Sequence, residues 1–144
     1  NGKDITGEIR TPEISACASK VAALSCVRDF LLDLQRDLAK QHNIIMDGRD
    51  IGTVVLPNAS LKIYLTASAE KRAQRRYEEY VQKGQKATYQ EVLADQKQRD
   101  YDDSHRKIAP LKKAGDAIEV DTSDLTLQES IDTVIGLMRE KLGL

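Results

Sequence analysis

Apolar residues recur along the chain with two periods. Val27, Phe30, Leu31, Leu34 and Leu38 fall three and four apart, the spacing of one face of a helix. Ser25 stands just before this stripe and is the expected N-cap. Pro12 suits a first helical turn, so an earlier helix is expected from there to about Ala23. Three short runs predict strands: "NIIMD" (43–47), an apolar run ending in a polar turn as buried parallel strands do, "LKIYLTA" (61–67), rich in β-branched and aromatic residues, and "DAIEVDT" (116–122). Ser68 is placed to cap a helix that ends near Gly84. Thr88 and Glu91 form a T-x-x-E capping box that opens a helix to about Asp103. Thr126 and Glu129 form a second box, opening a last helix with Ile131, Val134, Ile135, Met138 and Leu142 on one face. Strands separated by helices predict an α/β fold with a parallel sheet. The charge-rich stretch 70–107 predicts a helical hairpin standing off that sheet.

Composition narrows the picture. The 144 residues suffice for one domain with a core, and 40% hydrophobic with 31% charged residues is a globular balance. A net charge of -1 argues against a general nucleic-acid or membrane-surface binder. No apolar run approaches the length of a membrane span, and the first residues lack the apolar core of a signal peptide. Cys17 and Cys26, without a nearby histidine pair, form neither a zinc site nor a disulfide scaffold, and are read as reduced, part-buried side chains of a cytoplasmic protein. His42 and His105 are read as ordinary surface histidines. The chain starts without Met in what resembles a turn, so a fragment is expected.

Three clusters carry candidate chemistry. In "MDGRDIG" the chain leaves an apolar run and presents Asp47, Arg49 and Asp50 together. Ligands of α/β sheets sit beyond the carboxyl ends of strands. There Asp47 could hold Mg²⁺ directly or through water, Arg49 could fork onto a phosphate, and Asp50 could accept from a ligand amine. A polar turn with a local Asp–Arg pair is the alternative. Arg72, Arg75 and Arg76 crowd one helical face and repel one another, which suits either a solvated face with Glu70, Glu78 and Glu79 or an arriving polyphosphate. Arg99, Asp103 and Arg106 share one helical stripe, either as simple salt bridges or, if this helix packs against the 72–76 helix, as part of a convergence of five or six guanidinium groups.

The stretches "SKVAALSCVR", "IIMDGRDIGTVVLPNASLKIYLTASAEKRAQRR" and "QRDYDDSHRKIAPL" together resemble the bacterial cytidylate kinases, the CMP/dCMP kinases of the nucleoside monophosphate kinase group, from about residue 4 to residue 140. The resemblance implies a P-loop NTPase-type parallel sheet with flanking helices and a helical-hairpin lid at about 68–106. It divides the chain into 1–42, the C-terminal part of a CMP-binding insert with its following helix, and 43–144, the core. It implies transfer of a phosphoryl group from ATP to CMP or dCMP with Mg²⁺. Ser19, Arg28 and Asp50 would then read the cytosine base. A carboxylate takes the amine proton of cytosine and an arginine donates to its acceptors. Arg49 and Arg106 would lie near the monophosphate, Arg99 and Asp103 near the sugar. Arg72 and Arg76 would close over the transferring phosphate, and Asp47 would support Mg²⁺. The family's G-x-x-x-x-G-K-[ST] loop does not occur in these 144 residues. The expectation is therefore a chain truncated at its N-terminus, inactive alone, whose missing strands a second chain or a swap could fill. A nucleotide-binding or purely structural fragment without catalysis is the alternative. No nucleic-acid or membrane partner is implied.

Overall fold

A computed structural model describes residues 2–143 apart from 7 and 10. The side chains of residues 12, 15, 16 and 19 also lie outside the description. The chain divides into two compact units, Asn1–Met46 and Asp47–Leu144.

The first unit holds helices α1 (Pro12–Ala22) and α2 (Ser25–Gln41), which pack on each other. Thr11 caps α1, accepting from the Ile14 amide, and the proline falls in the first turn as expected. Helix α2 begins differently. Leu24, not Ser25, is its N-cap, and no side chain caps it. The chain has already turned before Ser25: the Leu24 amide donates to Val21 O, and Leu24 O accepts the first intrahelical bond, from Arg28 N. The apolar stripe of α2 stays exposed, with Phe30 at 73% and Leu34 at 51%. Cys17 and Cys26 are free and exposed rather than part-buried, because among the described residues no further element covers these helix faces within the unit.

The second unit is built on two parallel strands, β1 (Ile63–Thr66) and β2 (Ile118–Asp121), in the register Ile63↔Ile118 to Thr66↔Asp121. The ladder continues at both ends through Ile118 N to Lys62 O and Thr122 N to Thr66 O. The third expected strand, 43–47, is not one. An extended apolar run becomes a strand only when another strand takes its amides and carbonyls. Among the described residues no strand pairs with it, and Ile45 is 86% exposed. The sheet therefore has two strands here rather than three.

Helices α3 (Ala69–Gln82) and α4 (Tyr89–His105) connect the strands and pack together as a hairpin. Ser68 caps α3 by accepting from the Lys71 amide, and Gly84 at φ 67° closes its end, a left-handed conformation that glycine adopts without steric cost. The Thr88–Glu91 box opens α4 and the Thr126–Glu129 box opens α5 (Leu127–Leu142), each with both reciprocal bonds formed. Tyr77 and Tyr89 meet edge to face across the hairpin, centroids 6.3 Å apart. The core is small: Val55, Ala67, Ala73, Val92 and Val120 are buried. Lys62, its side chain 7% exposed, reaches the Asp116 carboxylate and the Pro57 carbonyl, and so pins the loop after residue 50 to the base of the sheet. No helix of the described residues is long and apolar enough to cross a membrane.

Candidate nucleotide site

The turn after Met46 leads into a single π turn, Ile51–Val55. Asp50 precedes it, and its carbonyl receives the amides of Thr53, Val54 and Val55. Isolated π turns of this kind recur at functional sites. This one buries Asp50 to 8% exposure, an expensive place for a carboxylate without charged company.

The company comes from the end of α4. Arg106, its C-cap, lies outside the helix with φ -63° and ψ 143°. It does not continue the Arg99–Asp103 stripe, because the backbone has already left the helical region. Its Nη2 stands 3.8 Å from Asp50 Oδ1, with the two side chains 18% and 11% exposed. That same Nη2 is buried without a hydrogen-bond partner. Arg49 donates from Nε to Asp103 Oδ2 at 2.7 Å, which ties the turn to α4 a second time. Asp103 is largely covered, and the exposed Arg49 covers it.

Arg72 forms the third pair. Its Nη1 and Nη2 each donate to Asp100, both at 2.7 Å, and its Nε donates to Ala67 O at the end of β1. The Arg72 guanidinium, with a smaller contribution from Arg49, holds the Asp100 carboxyl below its ordinary value against the opposing effect of burial. Arg72 is correspondingly raised, chiefly by its bond to Asp100. Asp100 is the residue that sequence spacing did not single out. Its signal was the i,i+4 relation to Gln96, which also donates to it, but nothing in the sequence aligns it with Arg72.

Three arginines and three aspartates thus stand close: Arg72 with Asp100, Arg49 with Asp103, Arg106 with Asp50. The larger convergence of five or six guanidinium groups does not occur. Arg75 reaches instead to the chain just after β2 and donates to Thr122 O and Leu125 O. Arg76 pairs with Glu79 and lies over the Tyr80 ring, 4.8 Å from its centroid. Arg99 is exposed and has no ionic or hydrogen-bond partner among the described residues. Neighbouring helical positions point 100° apart, so spacing allowed the convergence without requiring it.

In the first unit, Arg28 sits in the first turns of α2 and donates from Nη1 to Ala22 O at 3.3 Å. Ser19 lies on α1, but its side chain falls outside the described residues. Asp47 is exposed, and no group of three or more potential metal ligands gathers among the described residues. One accessible carboxylate fits Mg²⁺, which keeps several waters and takes one or two carboxylates beside phosphate oxygens.

The family model described as cytidylate kinase matches residues 1–140. The chain belongs to the cytidylate kinase family. It is 51% identical over its whole length to the cytidylate kinase of Thermosipho melanesiensis, and spans 66% of that protein. It is 48% identical to that of Lactobacillus johnsonii over 98% of this chain and 61% of the relative. The figures for the Fusobacterium nucleatum cytidylate kinase are 52%, 93% and 62%. The chain therefore spans somewhat under two thirds of the length of these cytidylate kinase relatives.

Proposed function

We propose that this chain carries the acceptor-nucleotide side of a CMP/dCMP kinase, a P-loop-type enzyme that passes a phosphoryl group from ATP. One observation above the others supports the reading: Arg106 keeps a buried guanidinium nitrogen without a hydrogen-bond partner, next to a buried aspartate. An unmet donor in a polar site costs free energy in the empty protein and is repaid when a ligand acceptor arrives. Beside it, Asp50 accepts the exocyclic amine of cytosine, with Ser19 and Arg28 as further base readers. Uracil presents a carbonyl in place of that amine and so meets a carboxylate with no proton between them. Arg49 and Arg106 bind the monophosphate, while Arg99 and Asp103 serve the sugar. The α3–α4 hairpin is the lid, with Arg72 and Arg76 facing the moving phosphoryl group. Asp47 supports Mg²⁺ through water. The metal supplies charge neutralisation on the phosphate oxygens, and the chain's own arginines orient the acceptor.

The 144 residues contain no G-x-x-x-x-G-K-[ST] loop, so we propose that by themselves they hold CMP and turn nothing over. Calorimetric titration of the chain with CMP, UMP and ATP tests this. CMP is expected to bind, UMP more weakly, and ATP not at the same site. Asp50→Asn, whose amide can donate as well as accept, should weaken CMP and narrow the CMP/UMP gap. Equal affinity for CMP and UMP in the unaltered chain would overturn the base-reading role.

A further inference from the structure

Ala109 is the one described non-glycine residue with a positive φ, at 48°. An alanine there crowds its Cβ against the backbone. The position is doubly disfavoured because Pro110 follows, and the residue before a proline is pushed toward extended conformations. A residue stays in such a place only when its surroundings over-determine it. Two bonds do so. Leu111 N donates to Asp103 O at 2.7 Å, closing the turn beneath α4. Arg106 Nε donates to Ala109 O at 2.6 Å.

The second bond matters beyond the turn. A guanidinium is planar, so fixing Nε fixes the directions of both Nη atoms. Arg106 Nη2 is the buried nitrogen that stands without a hydrogen bond, 3.8 Å from Asp50. In the extended conformation usual before proline, the Ala109 carbonyl would swing away from Nε and the fork would be free to rotate toward Asp50 or solvent. We propose that Ala109 is a positioning residue: its left-handed backbone aims its carbonyl at Arg106 Nε and so keeps the buried Nη2 beside Asp50, its hydrogen bond reserved for a nucleotide acceptor. This rests on Arg106 being a nucleotide ligand, as set out above.

The test compares Ala109→Gly, which adopts the left-handed region freely, with Ala109→Val, whose branched side chain is expelled from it. Two readouts are taken on the 144-residue chain: the ¹⁵N resonance and proton exchange of Arg106 Nε–H, and CMP affinity by calorimetry. In the unaltered chain and in Ala109→Gly, Nε–H should exchange slowly and CMP should bind equally within about twofold. In Ala109→Val, Nε–H should exchange as in a solvated arginine, and CMP affinity should fall on the order of tenfold, the scale of losing one hydrogen bond to a charged group. Arg106→Met separates the two layers. If it leaves CMP affinity unchanged, or if the unaltered chain binds no CMP, the nucleotide-ligand reading fails and the inference with it. If Arg106→Met weakens CMP while Ala109→Val, still folded by its dispersed amide spectrum, does not, the positioning role alone is wrong. Should Ala109→Val fail to fold, Ala109→Thr, likewise branched at Cβ and so disfavoured in the left-handed region, takes its place with the same expected losses.

Discussion

Arg72 and Asp100 join the two helices of the hairpin through a bidentate bond, and a double-mutant cycle with Arg72→Met and Asp100→Asn measures it. The two side chains are 34% and 31% exposed, so the pair is neither dry nor fully solvated. Opposite charges about 4 Å apart attract by about 1 kcal/mol in water and about 4 kcal/mol at an effective dielectric constant near 20. Ordering an arginine side chain takes back up to about 2 kcal/mol. The bidentate geometry, with Nε already held by Ala67 O, lowers that entropic cost. The expected coupling is about 1–2 kcal/mol, above the range of up to about 1 kcal/mol typical of exposed pairs. Urea unfolding followed by tyrosine emission is a suitable assay, since all five tyrosines, at 64, 77, 80, 89 and 101, lie in the second unit and the chain has no tryptophan. The pH dependence has a definite sign. Arg72 holds the Asp100 carboxyl below its ordinary 3.8, so the contribution is complete above 3.8 and is lost as pH falls through the lowered value. The coupling should be flat from neutral pH down to about that ordinary value and vanish in stronger acid. A coupling under about 0.3 kcal/mol at neutral pH, or one that survives full protonation of carboxylates, would refute the reasoning.

Two further outcomes are expected. In a longer protein that joins these residues to an ATP-binding loop, Arg76→Met should lower kcat on the order of 10³-fold with little change in CMP binding. Its melting temperature should fall only slightly, since Arg76 shares a part-exposed pair with Glu79 and a ring contact with Tyr80; a normal kcat with a clearly lowered melting temperature would make Arg76 a packing residue instead. Thr126→Ala removes one side of the capping box of α5 and should destabilise the second unit by about 1 kcal/mol in the same urea assay, while Thr126→Ser should retain most of the stability. Equal losses in the two variants would mean that the methyl group, and not the cap, carries the effect.

The sequence alone determined the local elements whose signals are self-contained. Both capping boxes formed with every expected bond, because a threonine and a glutamate three residues apart satisfy each other's backbone amides without outside help. Ser68 and Gly84 bounded α3 for the same reason. The parallel relation of 61–67 to 116–122 was legible in the alternation of strand and helix. The resemblance put Asp50 at the base and Arg106 near the monophosphate; that the two stand 3.8 Å apart came only from the tertiary structure. The rest depended on partners distant in the chain. Whether "NIIMD" is a strand depends on a neighbouring strand, which periodicity cannot supply. Which of Arg72, Arg75 and Arg76 faces the aspartates depends on how α3 rotates against α4 and β2. That rotation sends Arg72 to Asp100, 28 residues away, and Arg75 to Thr122, 47 residues away. Nor does an alanine before a proline advertise a left-handed backbone. Only the closing bonds from Leu111 and Arg106 hold Ala109 there, because local preference opposes that conformation and tertiary contacts must overcome it.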